Sequence, residues 1–161
     1  MTLEQIKAID ISGKSVLITG RPGSGKTWLA KQLDPHDFDT LHTDDYLVFN
    51  QVQALQAIIE DIGDREGRTK LIEGILGYKL LLWGACELSY RPDLVIICDI
   101  SAGRQREIYL KERDLSKLQF LKRFHVEHLS ILEQYYRIVP ENERPQIIEF
   151  QNNWNYATEQ K

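Results

Sequence analysis

Short apolar runs alternate with longer stretches of helical spacing along the chain, and this alternation predicts β-α units. The apolar runs predict five strands, at residues 15–19, 40–42, 70–72, 94–98 and 146–150. Helical spacing predicts six helices, at residues 2–9, 26–33, 52–62, 79–88, 105–113 and 117–137. The first helix has a Thr2/Gln5 capping box. Alternating strands and helices are typical of parallel sheets, so we expect an α/β fold with a five-stranded parallel sheet flanked by helices.

A glycine-rich segment joins the first predicted strand to the helix that follows it. Residues 20–27 read G-R-P-G-S-G-K-T, a complete G-x-x-x-x-G-K-[ST] phosphate loop. In such a loop, backbone N–H groups and the helix N-terminus bind a phosphate. Lys26 is predicted to reach the β- and γ-phosphates, and the Thr27 hydroxyl to bind Mg²⁺. The predicted nucleotide-binding residues are Gly20, Arg21, Pro22, Gly23, Ser24, Gly25, Lys26, Thr27 and Trp28.

Length and composition restrict the kind of protein that this chain forms. The 161 residues contain no linker-like stretch and no repeat, which predicts a single domain over residues 1–161. The longest apolar run has about five residues, far fewer than the roughly 20 that cross a bilayer. Acidic residues in the first predicted helix argue against a targeting peptide. We therefore expect a soluble, cytoplasmic protein with no membrane partner.

Charge and cysteine content narrow the expected partners. The formal charge of −4 argues against a protein that coats nucleic acid. Lys and Arg are nevertheless concentrated in residues 104–123, so a local basic groove stays open. Cys86 and Cys98 both lie in apolar surroundings and are expected to be core residues rather than a disulfide or a metal site. His125 and His128 lack a third ligand nearby and are expected to be surface or packing residues.

Acidic residues follow three of the predicted strands. Asp44 and Asp45 come after the second strand, Glu73 after the third and Asp99 after the fourth. Ligands of an open parallel sheet bind at the carboxyl ends of its strands, so these acids are expected to face bound Mg·ATP. Phosphoryl transfer to an alcohol needs a cation near the β- and γ-phosphates and a carboxylate that accepts the hydroxyl proton. The acids are therefore the candidates for both tasks.

The order of these motifs resembles that of the uridine kinase and nicotinamide riboside kinase group of small P-loop kinases. In that group a phosphate loop precedes a strand ending in Asp-x-aromatic, a strand ending in Glu-Gly and an arginine-rich lid. Here G-R-P-G-S-G-K-T precedes L-H-T-D-D-Y, L-I-E-G-I-L-G-Y and G-R-Q-R-E-I-Y-L-K-E-R-D. Polynucleotide kinases look similar around the phosphate loop and carry a like Asp-Asp-Tyr, but the Glu-Gly pair favours the nucleoside kinases.

The resemblance implies the three-layer P-loop NTPase fold with a short lid, and ATP and Mg²⁺ as cofactors. Asp44 resembles the general base and is also a candidate for the metal site, while Asp45 is the alternative base if the register differs by one residue. Glu73 looks like the carboxylate near Mg²⁺, and Thr27 resembles the direct ligand. Asp99 is the alternative to Glu73, because four apolar residues precede it in the usual Walker B manner.

The resemblance also places a lid and an acceptor pocket on this sequence. The lid falls at about residues 101–117, where the guanidinium groups of Arg104, Arg106 and Arg113 would suit the charge on a phosphoryl group in transfer. Aromatic and polar residues close in sequence to the acids are the expected acceptor contacts. They are His42, Asp45, Tyr46 and Tyr78, with Phe49 and Trp83 as further aromatic candidates.

These observations favour an ATP-dependent kinase that phosphorylates a hydroxyl group of a nucleoside or a similar small molecule. Two alternatives stay open. A polynucleotide or DNA-base hydroxyl kinase would have nucleic acid as its partner and would use residues 104–123 as a groove. A P-loop ATPase or regulatory switch would need no carboxylate at Asp44.

Overall fold

The computed structural model of the chain describes residues 1–21, 23–47, 50–63, 67–100, 107 and 115–152, and it leaves the side chains of residues 115–122 and 125 undescribed. Several of the predicted features lie outside the described residues. They are Pro22, Phe49, most of the lid at residues 101–117 with the predicted helix at 105–113, and the arginines Arg104, Arg106 and Arg113.

Five strands form one parallel sheet in the described part of the chain. They are β1 (Ser15–Gly20), β2 (Thr40–His42), β3 (Lys70–Glu73), β4 (Leu94–Asp99) and β5 (Gln146–Gln151). Their spatial order is β2-β3-β1-β4-β5, and every neighbouring pair is parallel. The predicted five-stranded parallel sheet is confirmed. Because β1 is central, the residues that follow it lie between the carboxyl ends of β3 and β4.

The helices cover both faces of this sheet. They are α1 (Leu3–Lys7), α2 (Lys26–Leu33), α3 (Gln51–Gly63), α4 (Gly77–Trp83) and α5 (Leu115–Ile138). A π-helical turn, Gly84–Leu88, extends α4, and short 3₁₀ turns occupy Thr43–Tyr46 and Glu141–Glu143. None of the described helices combines the length and the apolar character needed to cross a membrane.

The central strand β1 is buried on both faces because a helical layer packs on each side. Leu17 belongs to a core cluster with Leu55 of α3 and Leu80 of α4. Ile18 points the opposite way and lies in a second cluster with Leu29 of α2. A parallel strand between two helical layers reads as a continuous apolar run, as β1 does in the sequence. The three-layer α/β architecture expected from the sequence is therefore present.

The observed helices differ from the predicted ones mainly at their ends. The Thr2/Gln5 capping box is present, but α1 ends at Lys7 rather than at residue 9. Helix α4 begins at Gly77, two residues before its predicted start, and the missing side chain of Gly77 lets the helix backbone lie directly against Thr19 of β1.

The two cysteines lie in different surroundings. Cys98 is buried in β4, as expected, whereas Cys86 is exposed on the π-helical turn after α4. The prediction that both are core residues is therefore wrong for Cys86, since its apolar neighbours in sequence cover the sheet while the turn carries the thiol outward. Both cysteines are free thiols.

Candidate functional site

The phosphate loop connects the carboxyl end of β1 to the first residue of α2. Gly20 ends β1 with φ +149°, and a Cβ there would overlap the carbonyl oxygen of Cys98 on the neighbouring strand. Gly25 has φ +89° and is the N-cap of α2. These conformations suit glycine and turn the backbone sharply from strand into helix. The loop therefore brings the N-terminus of α2 to the edge of the sheet where phosphate is expected.

Lys26 lies inside this loop and is 7% exposed. Its Nζ donates hydrogen bonds to the carbonyl oxygens of Gly20, at 3.1 Å, and Arg21, at 2.7 Å. Burial lowers the pKa of Lys26 to about 8, against the opposing influence of Cys98, Glu73 and Asp44. A phosphate would be a stronger partner for this ammonium than two neutral carbonyls, because both groups would then be charged.

Four side chains form a continuous set of hydrogen bonds beside Lys26, which we call the Glu73 chain: Thr27, Glu73, His42 and Asp37. The Thr27 hydroxyl donates to Oε1 of Glu73 at 3.2 Å. The His42 ring contacts the same oxygen through Nδ1 at 2.6 Å and Oδ1 of Asp37 through Nε2 at 2.8 Å. The register of β2 on β3 pairs His42 with Glu73, which places the two side chains together.

The charge of His42 follows from these neighbours. Burial acts to lower the pKa of His42, but its hydrogen bonds to Glu73 and Asp37 outweigh that effect and raise the pKa above its usual value. A histidine between two carboxylates is favoured in its charged form, because both neighbours stabilise the added proton. The Glu73 chain therefore places a ring whose pKa is raised against the carboxylate of Glu73, a residue that is only 3% exposed.

The 3₁₀ turn after β2 carries three of the predicted site residues. Asp44 and Asp45 are exposed on this turn, and Asp44 lies close enough to Lys26 to raise its pKa. Tyr46 is instead buried, and its hydroxyl donates to Oδ2 of Asp61 on α3 at 2.5 Å. The turn therefore presents two carboxylates outward while Tyr46 anchors it to α3. The acceptor contact predicted for Tyr46 stays a prediction.

The two candidates for the acid near Mg²⁺ lie on opposite sides of β1. Glu73, at the end of β3, accepts the hydrogen bond of Thr27. Asp99, at the end of β4, pairs with Arg21, with 3.4 Å between Oδ1 and Nε. Both strands neighbour β1, so adjacency alone does not separate the two acids. The contact with Thr27 is what distinguishes Glu73.

Two residues near the site carried no prediction from the sequence. Asn152 follows β5 and is 4% exposed, and its side-chain Nδ2 donates to the carbonyl oxygen of Ser24 at 3.0 Å. Its backbone N–H donates to the carbonyl oxygen of Asp99 at 2.8 Å. The signal that could have indicated Asn152 is its place just beyond the carboxyl end of the predicted strand at residues 146–150, because ligands of a parallel sheet bind at such ends. Asp37 has no such signal, because it lies in a polar loop before β2.

The residues at this edge of the sheet fit a phosphate with Mg²⁺. Thr27 and Glu73 offer the oxygen ligands that Mg²⁺ prefers in proteins. Within the described residues, the buried Oγ of Ser24 has no hydrogen-bond partner. A buried polar atom of this kind needs an occupant to satisfy it. An anion held by the loop would meet that need.

A cavity of about 360 Å³ lies between the turn after β2, α4 and α5. Its lining includes Leu47, Leu76, Tyr78, Phe124, His128 and Ile131. The ring of Tyr78 stacks on His128, with centroids 4.2 Å apart, and meets the edge of Phe124 at 6.4 Å. Burial raises the pKa of Tyr78, and the nearby charge of Asp99 raises it further. The cavity therefore has an aromatic wall formed by Tyr78, Phe124 and His128.

Two tryptophans with predicted contacts, Trp83 with the acceptor and Trp28 with the nucleotide, lie outside this cavity's described lining. Trp83 is half-buried and packs against the core cluster of α3 and α4. Trp28 is half-buried on α2 and packs on the opposite face of the sheet. His128, expected to be a surface or packing residue, is buried against Tyr78. The structure thus brings together Lys26, Thr27 and Glu73, and the contacts predicted for the two tryptophans stay predictions.

Comparison with known proteins does not identify a family for this chain. The sequence matches no protein-family model and no curated protein. Among solved structures, thymidylate kinase from Candida albicans is similar to this chain, with a TM-score of 0.45 and 12% identity. The alignment covers 87% of this chain and 84% of that chain.

Proposed function

We propose that the protein is an ATP-dependent kinase that transfers the γ-phosphoryl group to a hydroxyl of a nucleoside or a similar small molecule. One observation carries the proposal. Lys26 lies inside the phosphate loop while the adjacent Thr27 donates to Glu73 from the neighbouring strand. A cation, a hydroxyl and a carboxylate gathered in this way support binding of the end of a triphosphate. The sequence resemblance to uridine kinases and nicotinamide riboside kinases supports the same chemistry.

The phosphate loop would bind and orient the donor. Backbone N–H groups at the start of α2 would hold phosphate oxygens, and Lys26 would supply a positive charge to the β- and γ-phosphates. Mg²⁺, held by Thr27 and Glu73, would neutralise phosphate charge when bound. On binding, Lys26 would exchange its hydrogen bonds to the carbonyl oxygens of Gly20 and Arg21 for bonds to phosphate oxygens.

Asp44 would accept the proton of the acceptor hydroxyl. Its carboxylate is exposed, lies near Lys26 and precedes the cavity residue Leu47 by three positions. As the hydroxyl oxygen bonds to the γ-phosphorus, the bond to the β-γ bridging oxygen breaks, and ADP leaves. The hydroxyl proton passes to Asp44 and then to water. The products are a phosphate monoester, ADP and a proton.

The cavity supports a small acceptor with a flat ring. Its volume of about 360 Å³ lies within the range of small-molecule sites. Tyr78, Phe124 and His128 provide an aromatic wall, and aromatic faces stack on planar rings. Lys79 and Glu127 at the lining form an ion pair of 2.8 Å, so each charge is balanced within the protein.

Transfer from γ-labelled ATP with Mg²⁺ tests the proposal. The acceptors are free nucleosides, nicotinamide riboside, pantothenate, and short DNA and RNA. We expect label on a small acceptor, and a loss of about 10²-fold or more in Asp44→Asn, because the general base is removed. Asp45→Asn is the matched control, since Asp45 is exposed on the same turn.

The outcomes separate the alternatives. A loss confined to Asp45→Asn would assign the base to Asp45. Label only on oligonucleotides would favour a polynucleotide kinase instead. Free phosphate as the sole product, at a rate that Asp44→Asn does not change, would contradict the kinase proposal and favour an ATPase or switch.

A further inference from the structure

The His42 ring is bonded at both of its nitrogens. Nδ1 lies 2.6 Å from Glu73, and Nε2 lies 2.8 Å from Asp37. A ring held at both ends cannot rotate without losing a charge-assisted contact. His42 therefore has one defined orientation, and that orientation presents Nδ1 to the Glu73 carboxylate.

The loop before β2 is built so that Asp37 reaches this ring. Asp37 has φ +57°, a conformation that residues other than glycine rarely adopt. The loop around it is fixed by Asp34, whose carboxylate accepts from the backbone N–H groups of Phe38 and Asp39 and from the Thr40 hydroxyl. These contacts hold an unfavourable backbone conformation at the residue that secures His42.

Glu73 gains its orientation from two donors that arrive from different sides. Oε1 accepts from Thr27 of the phosphate loop, and it also contacts the ring of His42 at the end of β2. The side chain of Glu73 is 4% exposed, so few other partners can replace these. Partners of a ligating carboxylate orient it, and their loss weakens metal binding.

We propose that His42, held in place by Asp37, is a positioning residue that directs the Glu73 carboxylate toward Mg²⁺ beside Thr27. The inference rests on the proposed function for the presence of a metal-nucleotide complex. The loop before β2 would thus affect metal affinity through two successive hydrogen bonds, one between Asp37 and His42 and one between His42 and Glu73. Neither His42 nor Asp37 needs to touch the metal or the acceptor.

Mn²⁺ binding tests this inference without turnover. Electron paramagnetic resonance measures free Mn²⁺ in the presence of the protein and a non-hydrolysable ATP analogue. We expect His42→Ala to weaken Mn²⁺ binding by about 10- to 100-fold. His42→Asn should weaken it less, because its amide nitrogen can donate to Glu73 from near the position of Nδ1. Asp37→Ala should weaken it by less than His42→Ala, since only the support of the ring is lost.

A matched control is available in the same loop. His36 is exposed, so His36→Ala removes a histidine without touching the Glu73 chain and should leave Mn²⁺ binding unchanged. Thermal unfolding of each variant verifies that it is folded. If His42→Ala does not fold, His42→Asn and Asp37→Ala decide the question. Unchanged Mn²⁺ affinity in the folded variants would overturn the inference.

Kinetics give a second, independent readout. A positioning role predicts that the Mg²⁺ concentration needed for half-maximal transfer rises in His42→Ala, while kcat at saturating Mg²⁺ changes little. A fall in kcat that saturating Mg²⁺ does not restore would contradict the positioning role. Failure of the wild-type protein to bind Mn²⁺ with the nucleotide would overturn the proposed function itself, which distinguishes the two failures.

Discussion

The phosphate loop and the Glu73 chain share Thr27, but backbone atoms make the contacts within the loop and side-chain atoms make those within the Glu73 chain. In the phosphate loop, consecutive residues act mainly through backbone groups, and even the Lys26 ammonium is held by two carbonyl oxygens. In the Glu73 chain, side chains bond to side chains, and Thr27 and Glu73 are 46 positions apart. The first region depends on local backbone conformation, whereas the second depends on how strands align.

This difference predicts different sensitivities to mutation. Nucleotide binding by the phosphate loop should tolerate substitutions at positions where only the backbone contacts the phosphates. It should be lost where a glycine conformation or the charge of Lys26 is removed. Metal binding at the Glu73 chain should weaken when any one of its side chains loses its polar atoms. It also depends on the β2–β3 register, because a shift of one residue would move His42 away from Glu73 to the other face of the sheet.

The largest effect is expected for Lys26→Ala. The variant loses the positive charge that we propose faces the β- and γ-phosphates, so phosphoryl transfer should fall by at least about 10²-fold. Lys31→Ala is the matched control, because Lys31 is exposed on the same helix. Rates of transfer from γ-labelled ATP measure both. Substantial activity in Lys26→Ala would mean that the phosphate-loop assignment is wrong.

The pH dependence of nucleotide affinity should separate the two regions further. Burial lowers the pKa of Lys26 from 10.5 to about 8, so the free protein carries this charge below pH 8 and loses it above. ATP affinity should therefore fall by up to about tenfold per pH unit above that point. Titration calorimetry between pH 7 and 10 measures the affinity.

Lys26→Arg provides the control for this prediction. Arginine stays charged over the whole range, so the variant should lose the pH dependence even if its affinity at pH 7 is lower. An unchanged decline in Lys26→Arg would assign the titration to another group.

The smallest effect is expected for Asn152→Ala. This variant tests whether a residue far from the phosphate loop in sequence contributes to nucleotide binding by the loop. The variant loses the hydrogen bond to the Ser24 carbonyl, worth about 1 kcal/mol, so ATP affinity should fall about fivefold. Gln151→Ala, an exposed neighbour, is the control. Equal ATP affinity in both variants would contradict the prediction and would mean that the Asn152 hydrogen bond does not affect nucleotide binding by the loop.

Particular residues show how far the sequence could predict the site. The turn from β1 into α2 was predictable because its glycines and the residues after them are consecutive in the sequence. Glu73 was predictable as an acid after a strand, but its contacts with Thr27 and His42 were not. The hydrogen bond of the Tyr46 hydroxyl to Asp61 on α3 was not predictable either, and the acceptor contact predicted for Tyr46 stays a prediction. An aromatic residue near an acid has the same appearance in sequence whether it faces the core or a ligand.

By itself, the sequence determined the parallel sheet, the position of the phosphate loop and the acids that follow the strands. Apolar runs and glycine spacing are patterns of a few consecutive residues, so they can be recognised without knowing which distant residues they contact. Only the tertiary structure decided that Asp37 secures His42, that Glu73 rather than Asp99 contacts Thr27, and that Asn152 supports the loop. Those contacts depend on strand order and register, which arise when separate segments pack against one another.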